Sequence, residues 1–113
     1  MSSFYRKVVN LFRRIVKKKF IHESFYNRSY SQCGEDLIIK FIFDNIIKQK
    51  KFTYMDIGAN HPYSINNTCL FYRTGMRGIN IEPNPMLIKL FNKYRKEDIN
   101  INIGVSEANG VMT

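Results

Sequence analysis

The apolar positions of the chain change their period along its length, from helical spacing near the start to short alternating runs later. Residues 3–20 place apolar side chains three and four positions apart, with basic residues opposite, which predicts a basic amphipathic helix. Residues 21–33 are polar and aromatic and are predicted to form a linker. A second helix is predicted over residues 34–49, capped by Ser31. Its apolar stripe comprises Leu37, Ile38, Phe41, Ile42, Ile46 and Ile47.

Three short runs with strand character follow, and helical patterns separate them. The strands are predicted over residues 52–57, 77–82 and 98–105. One helix is predicted over residues 67–74, and another opens at residues 83–85, where proline suits a first turn. The apolar stripe of this last helix comprises Met86, Leu87, Leu90, Phe91 and Tyr94. Strands that alternate with helices imply a parallel sheet with right-handed crossovers.

The predicted fold is therefore α/β, with about three parallel strands preceded by the basic helix. Residues 111–113 resemble the start of a fourth strand, so we expect the sheet to be incomplete. We divide the chain into a helix and linker over residues 1–30 and one partial domain over residues 31–113. A chain of 113 residues holds one small domain and is short for a doubly wound enzyme.

The net charge of +9 is unevenly distributed. Eight of the eighteen Lys and Arg residues, but only one of the nine acidic residues, lie in residues 1–28. The basicity thus belongs to the N-terminal segment, and this distribution does not favour nucleic-acid binding by the domain. The basic helix has three interpretations: it docks on the domain, forms a solvated leader, or lies on an anionic membrane surface. We prefer the first two over peripheral membrane contact through residues 3–20.

Cysteine spacing and hydropathy exclude several classes of protein. Cys33 and Cys69 are isolated, so we expect two reduced thiols and no metal site. No apolar run reaches the length of a membrane span, and charges interrupt the start of the chain where a signal peptide would need an apolar core. The predicted location is the cytoplasm, with peripheral contact at the inner membrane surface as the alternative.

Two acidic residues stand where predicted strands end. Asp56 lies two residues before Gly58 at the end of the first strand, and Glu82 closes the second. Either feature alone suits a structural role, such as a turn or a helix cap. The carboxyl ends of parallel strands, however, meet at the edge of the sheet where α/β proteins bind ligands. Together the two acids predict a site for a nucleoside cofactor, with a glycine turn that lets backbone approach it.

The turn after the first strand favours S-adenosylmethionine over a dinucleotide. It contains one glycine, Gly58, and lacks the three glycines that bring a pyrophosphate against a helix N-terminus. S-adenosylmethionine has no phosphate and carries a zwitterionic amino acid tail and a sulfonium cation. We expect Asp56 to favour the cationic tail and Glu82 to accept hydrogen bonds from the ribose diol.

Several blocks of the sequence resemble the FkbM-type methyltransferases. These blocks are SQCGED at residues 31–36, DIGANHP at residues 56–62, NT at residues 67–68, GMRGINIEPNP at residues 75–85 and DININIGVS at residues 98–106. The resemblance implies the Rossmann-like sheet of class I methyltransferases. It also implies transfer of a methyl group from S-adenosylmethionine to oxygen, on a sugar or a secondary-metabolite hydroxyl.

The resemblance also implies roles for individual residues. The cofactor loop of the family is matched by Asp56, Gly58 and Asn60. Glu82 matches the ribose-binding acid, and Ser106 follows the third strand, where such folds contact adenine. Gln32 and Glu35 match the opening block, where cofactor-tail contact and simple capping are both open. His61 is expected to be held by local hydrogen bonds rather than to reach substrate.

The resemblance covers residues 30–113, and the strands that usually complete the family's pocket would follow. The chain thus supports half of a cofactor site, and no catalytic residue is assigned. The methyl acceptor is expected to be a small molecule or a glycan. The alternative is a non-catalytic remnant or binding module whose basic helix addresses a membrane or an anionic partner. A third hypothesis is an α/β domain that binds a different adenosine cofactor.

Overall fold

A computed structural model of the chain describes residues 3–24 and 28–111, and within the first helix it describes only the side chains of residues 3–14. The helices are α1 (Ser3–Ser24), α2 (Glu35–Phe41), α3 (Cys69–Arg73) and α4 (Pro85–Tyr94), and a π-helical segment (Ile42–Ile47) continues α2. The strands are β1 (Tyr54–Ile57), β2 (Gly78–Ile81) and β3 (Ile99–Ile101). Helices and strands alternate from β1 onward, as predicted.

The three strands form a small open sheet in the order β1-β2-β3, and both pairs are parallel. An α/β fold with a parallel sheet is thus confirmed. The strands are shorter than predicted, above all β3, which ends at Ile101 rather than residue 105. The predicted fourth strand is not formed at residue 111, and residues 112–113 lie outside the described residues.

The two N-terminal helices depart from their predicted bounds. Helix α1 runs to Ser24, so the prediction that a linker begins at residue 21 is wrong, while residues 25–27 lie outside the described part of the chain. Gly34, at φ 85°, is the N-cap of α2 and has no side chain to cap it, but Ser31 Oγ accepts a long hydrogen bond of 3.4 Å from the Asp36 N–H. The predicted second helix is real, but its last six residues form the π-helical segment.

The two faces of the sheet have opposite character. Because paired residues in adjacent strands share a face, the register places apolar side chains together on one face: Met55, Ile57, Ile79, Ile81, Ile99 and Ile101. The other face carries Tyr54, Asp56, Asn80 and Asn100. Thr68 and Arg95 contact this polar face, so the start of α3 and the end of α4 lie over it.

Helix α4 begins as predicted, but its buried residues match the predicted apolar stripe only in part. The Asn84 side chain accepts a hydrogen bond from the Met86 N–H at 2.9 Å, and Pro85 occupies the first turn. Ile88 and Phe91 are its buried residues, and they pack with Ala59. Met86 and Tyr94 are exposed, so their predicted places in the buried stripe are wrong. The helix thus anchors to the loop after β1 through its central turn.

The apolar stripe predicted for the second helix is largely exposed. Four of its six residues have more than half of their surface accessible: Ile38, Phe41, Ile46 and Ile47. Phe43, which was not in the predicted stripe, makes the inward contact instead and stacks on Phe52 with ring centroids 3.9 Å apart. The π-helical segment therefore packs against the chain just before β1.

Candidate functional site

The loop after β1 lies against the end of β2. The N–H groups of Gly58 and Ala59 both donate to the Ile81 carbonyl, at 2.8 and 3.1 Å. The Asn60 N–H then donates to Glu82 Oε2 at 2.7 Å. The loop and the acid after β2 thus meet at the carboxyl edge of the sheet, where parallel sheets bind ligands.

Glu82 is held by backbone from both sides. Its second carboxylate oxygen, Oε1, accepts from the Asn84 N–H at 2.9 Å, so each oxygen receives one hydrogen bond. The residue is only 6% exposed. A carboxylate offers about four acceptor positions, and the two bonds leave about half of them unused. The loops therefore fix this acid while it retains the capacity to bind hydroxyl groups.

Asp56 lies within β1, on the polar face, and Thr68 Oγ1 is 3.0 Å from its Oδ2. Burial raises the pKa of Asp56, nearby Glu82 raises it further, and the Thr68 hydrogen bond and the Arg95 charge oppose these effects. The ion pairs formed by the described residues are Lys40–Asp44 and Arg95–Asp98, so neither Asp56 nor Glu82 has a basic partner. Two acids that form no ion pair thus lie near each other at this edge, with the Arg95 charge acting on Asp56 from a distance, and this favours a cationic ligand.

Backbone geometry leaves space beside the loop. Gly58 has φ 73°, a conformation that side chains rarely adopt, and a Cβ built on it would have no atom within 4 Å. Asn60 also has a positive φ, of 61°, which asparagine tolerates better than most residues. The loop therefore presents bare backbone to open space next to the two acids.

Asn66, which the sequence analysis did not select, holds the loop after β1 by hydrogen bonds. Its Nδ2 donates to the Ala59 carbonyl at 2.9 Å. Its Oδ1 accepts from the N–H groups of Thr68 and Cys69, at 2.9 and 2.7 Å, which occupies the first donors of α3. This buried amide thus ties the cofactor loop predicted from the sequence to the start of α3.

Arg95 connects the same elements from the end of α4. The guanidinium is fully buried and pairs with Asp98, with Nη2 2.8 Å from Oδ2. It also donates to Asn66 Oδ1, Thr68 Oγ1 and the Tyr54 hydroxyl, at 3.1, 3.1 and 2.9 Å. Arg95 is thus a positioning residue, because it reaches Asp56 through Thr68.

Asp98, just before β3, accepts hydrogen bonds from polar groups of β1 and β2. It accepts from the Tyr54 hydroxyl at 2.7 Å, from the Gly78 N–H at 2.9 Å and from Asn80 Nδ2 at 3.0 Å. Within the described residues, Asn80 Oδ1 is the one buried side-chain polar atom without a hydrogen-bond partner. The polar face is therefore a nearly complete hydrogen-bond network, which we call the Arg95 network and define by Tyr54, Asn66, Thr68, Asn80, Arg95 and Asp98.

The remaining predicted cofactor residues lie apart from the two acids. Ser106 is exposed five residues after β3, and its Oγ lies 3.4 Å from the Ala108 N–H. Gln32 is exposed as well. In the part of the chain that the structure describes, neither makes a hydrogen bond to Asp56 or Glu82. The structure thus brings together Asp56, Gly58, Asn60 and Glu82, but not Ser106 and Gln32.

The other chemistry-bearing residues have structural roles. His61 Nδ1 accepts from the N–H groups of Tyr63 and Ser64, at 3.1 and 3.0 Å, so local hydrogen bonds hold it as expected. Glu35 caps the preceding loop by accepting from the Cys33 N–H at 2.8 Å. Burial raises the pKa of the Cys69 thiol to about 11, which leaves it protonated and unreactive at neutral pH.

The opposite edge of the sheet carries a cavity of about 790 Å³. Its lining includes Phe52, just before β1, and Arg77, just before β2, so it lies at the amino ends of the strands. Lys50 and Lys51 add positive charge there. We call the carboxyl edge with Asp56, Gly58, Asn60 and Glu82 the acidic edge. The cavity shares no residue with it. Among the described residues, no three His, Cys, Asp or Glu side chains are placed to hold a metal ion.

No protein-family model matches this chain, and neither a curated protein nor a solved structure matches it. The fold and the site themselves define an α/β protein with a small parallel sheet and, at its carboxyl edge, two carboxylates that form no ion pair with any described residue.

Proposed function

We propose that the chain is an S-adenosylmethionine-dependent methyltransferase domain of the Rossmann-like class I type, with its cofactor at the acidic edge of the sheet. One observation carries the proposal. Glu82 is fixed by backbone N–H groups from the loops after β1 and β2, beside Asp56, and neither acid has a basic partner among the described residues. This arrangement suits a ligand that combines hydroxyl donors with positive charge.

The residues present fit the cofactor at three points. Glu82 would accept hydrogen bonds from the ribose hydroxyls through its unused acceptor positions. Asp56 would favour the ammonium and sulfonium charges. The bare backbone at Gly58 would allow close approach, since a Cβ there meets nothing within 4 Å. S-adenosylmethionine supplies an activated methyl group, and these residues of the chain bind and orient it.

A dinucleotide fits the same edge poorly. A pyrophosphate needs free N–H groups at a helix N-terminus. Helix α3 begins only at Cys69, eleven residues after Gly58, and Asn66 already occupies its first donors. The two unpaired carboxylates would also repel phosphate. The geometry therefore supports a nucleoside cofactor without phosphates over the hypothesis of another adenosine dinucleotide.

The acceptor is proposed from the resemblance of residues 30–113 to FkbM-type methyltransferases. We propose a hydroxyl of a sugar or another small molecule as the site of methylation. Methyl transfer to oxygen is an in-line displacement that depends chiefly on positioning. The described residues provide the cofactor side of that arrangement, and we assign no residue as the base.

Isothermal titration of the 113-residue chain with S-adenosylhomocysteine tests the proposal. We expect saturable binding, and Glu82→Gln should weaken it by about 1–3 kcal/mol because one charged acceptor for the ribose is lost. Glu107→Gln is the matched control, since Glu107 is exposed and lies outside the site. Circular dichroism and urea unfolding would establish that each variant is folded.

Two results would overturn the proposal. One is the absence of binding by a chain shown to be folded. The other is saturable binding of NAD by a chain that does not bind S-adenosylhomocysteine, which would indicate a dinucleotide. An equal loss of affinity in Glu82→Gln and Glu107→Gln would show that the effect is general electrostatics and not contact with the ribose.

A further inference from the structure

Helix α1 exposes a continuous apolar stripe along its described side chains. Phe4 and Phe12 are 75% and 68% exposed, and Val8 and Leu11 between them are exposed as well. Their spacing of three and four residues places all four on one face of the helix. A contiguous apolar patch has an unfavourable free energy of hydration, so this stripe indicates a surface that binds a partner.

The described part of the helix carries four basic residues beside and opposite the stripe. Arg6 and Arg13 are exposed on the side opposite the stripe, and Lys7 and Arg14 are exposed along one flank of it. The sequence of α1 continues with Lys17, Lys18 and Lys19, and its first acidic residue is Glu23, in its last turn. Seven cations thus precede the first acid on one helix, which makes the surface complementary to a dense negative charge.

We propose that α1 binds the surface of an anionic lipid bilayer and lies in its interface. An apolar stripe that contains phenylalanine and leucine, next to a face rich in Lys and Arg, is the pattern of an interfacial helix. Twenty-two residues give α1 a length of about 33 Å, enough for several turns of contact. Among the described residues, no helix combines the length and apolar character needed to cross a membrane, so α1 lies along the surface.

Charge favours lipid over packing of α1 on the domain or on a second copy. Residues 29–113 contain ten basic and eight acidic residues, so the domain offers no net negative charge to the seven cations. Each Lys or Arg near an anionic leaflet strengthens binding roughly fivefold. The apolar stripe distinguishes lipid from other polyanions, because a nucleic acid would use the charges and leave the phenylalanines in water.

A single tryptophan makes the binding directly measurable, since the chain contains none. Phe12→Trp places the fluorophore on the apolar stripe, and Val111→Trp is the control at a residue that is exposed near the other end of the chain. Vesicles of phosphatidylcholine, with or without about 30% phosphatidylserine, are the probe. With phosphatidylserine, the emission of Phe12→Trp should shift to the blue and be quenched by brominated acyl chains, while Val111→Trp should not respond.

The basic residues and the apolar residues of α1 are then substituted separately in the Phe12→Trp variant. Arg6→Gln/Arg13→Gln/Arg14→Gln should weaken vesicle binding about 100-fold, as three fivefold losses predict. Lys50→Gln/Lys89→Gln/Lys96→Gln changes the net charge equally on the domain and should have a far smaller effect. Phe4→Ser/Leu11→Ser should also abolish the shift, although the net charge is unchanged.

Four outcomes would overturn the proposal. They are no vesicle binding by the folded chain, equal binding with and without phosphatidylserine, equal losses in the two triple variants, and binding that survives loss of the stripe. The last would indicate a polyanion site that uses charge alone. If sedimentation shows that Phe4→Ser/Leu11→Ser dissociates a dimer and leaves vesicle binding intact, the stripe covers a second copy instead.

Discussion

The polar face of the sheet is buried and much of its apolar face is exposed, which reverses the usual relation between polarity and burial. On the polar face, Asn80 and Arg95 are fully buried, whereas on the apolar face Met55, Ile57 and Ile99 are each 59–60% exposed. Parallel sheets normally bury apolar side chains on both faces. Here the buried face depends on the completeness of its hydrogen bonds, because each buried polar group that loses its partner costs its full desolvation.

The buried polar face is also connected to the acidic edge by side-chain hydrogen bonds. The Arg95 network reaches the loop after β1 through Asn66 and reaches Asp56 through Thr68. Substitutions on the two faces should therefore have very different effects on the free energy of unfolding, even where the side chains removed are similar in size.

The largest effect is expected from Arg95→Met. It keeps a long side chain but leaves Asp98 buried and unpaired, so the free energy of unfolding should fall by about 3–5 kcal/mol. Lys96→Met is the control, because Lys96 is exposed next to Arg95 and should change stability by less than about 0.5 kcal/mol. Urea unfolding measures both, and similar values for the two variants would contradict the central place of Arg95.

Gly78→Ala is expected to have the next largest effect. A Cβ at Gly78 would lie 2.2 Å from a Tyr54 ring carbon and 2.3 Å from the Tyr54 carbonyl oxygen, so β1 or β2 must shift. Such overpacking costs about 1–3 kcal/mol. Gly110→Ala meets nothing within 4 Å and serves as the control. Equal thermal unfolding midpoints for the two variants would contradict this steric conflict between β1 and β2.

The apolar face allows a matched pair of substitutions. Ile81 is buried and Ile99 is 60% exposed on the same face. Ile81→Val should cost about 1 kcal/mol, whereas Ile99→Val should change the free energy of unfolding by less than about 0.5 kcal/mol. A larger loss at Ile99 in urea unfolding would mean that this part of the face is covered in solution.

The smallest effect is a pH dependence that arises from Asp56. Its raised pKa means that the native state holds this proton more tightly, so its contribution to stability is full below the ordinary value of 3.8 and is lost as pH rises through the folded pKa. Asp56→Asn should remove this loss and make the protein slightly more stable at pH 7 than wild type, while weakening S-adenosylhomocysteine binding. A variant that is less stable at pH 7 would contradict the sign of the shift.

The sequence sufficed to predict the order of elements and the meeting of Asp56 and Glu82. Both follow from local patterns: strands that alternate with helices form a parallel sheet, and residues at the ends of adjacent parallel strands share an edge. The Gly58 turn is likewise a local feature, because its positive φ depends on residue type more than on tertiary packing.

The buried face could not be predicted in the same way. Alternation of Ile79 and Ile81 with Asn80 normally indicates that the apolar side faces the core. The partners of Arg95 in the network include Thr68 and Tyr54, far away in sequence, and no local period encodes them. One signal was present, since Arg95 continues the helical spacing of Ile88 and Phe91 onto the buried side of α4.

The most direct measurement is an amide NMR titration of the ¹⁵N-labelled chain with S-adenosylhomocysteine. It distinguishes the proposed binding at the acidic edge from binding in the cavity of about 790 Å³ at the amino edge. We expect saturable shifts of the Gly58, Asn60 and Asn84 amides, with little change at Lys50 and Arg77. Shifts centred on Lys50 and Arg77, or no shifts in a folded sample, would contradict the proposal.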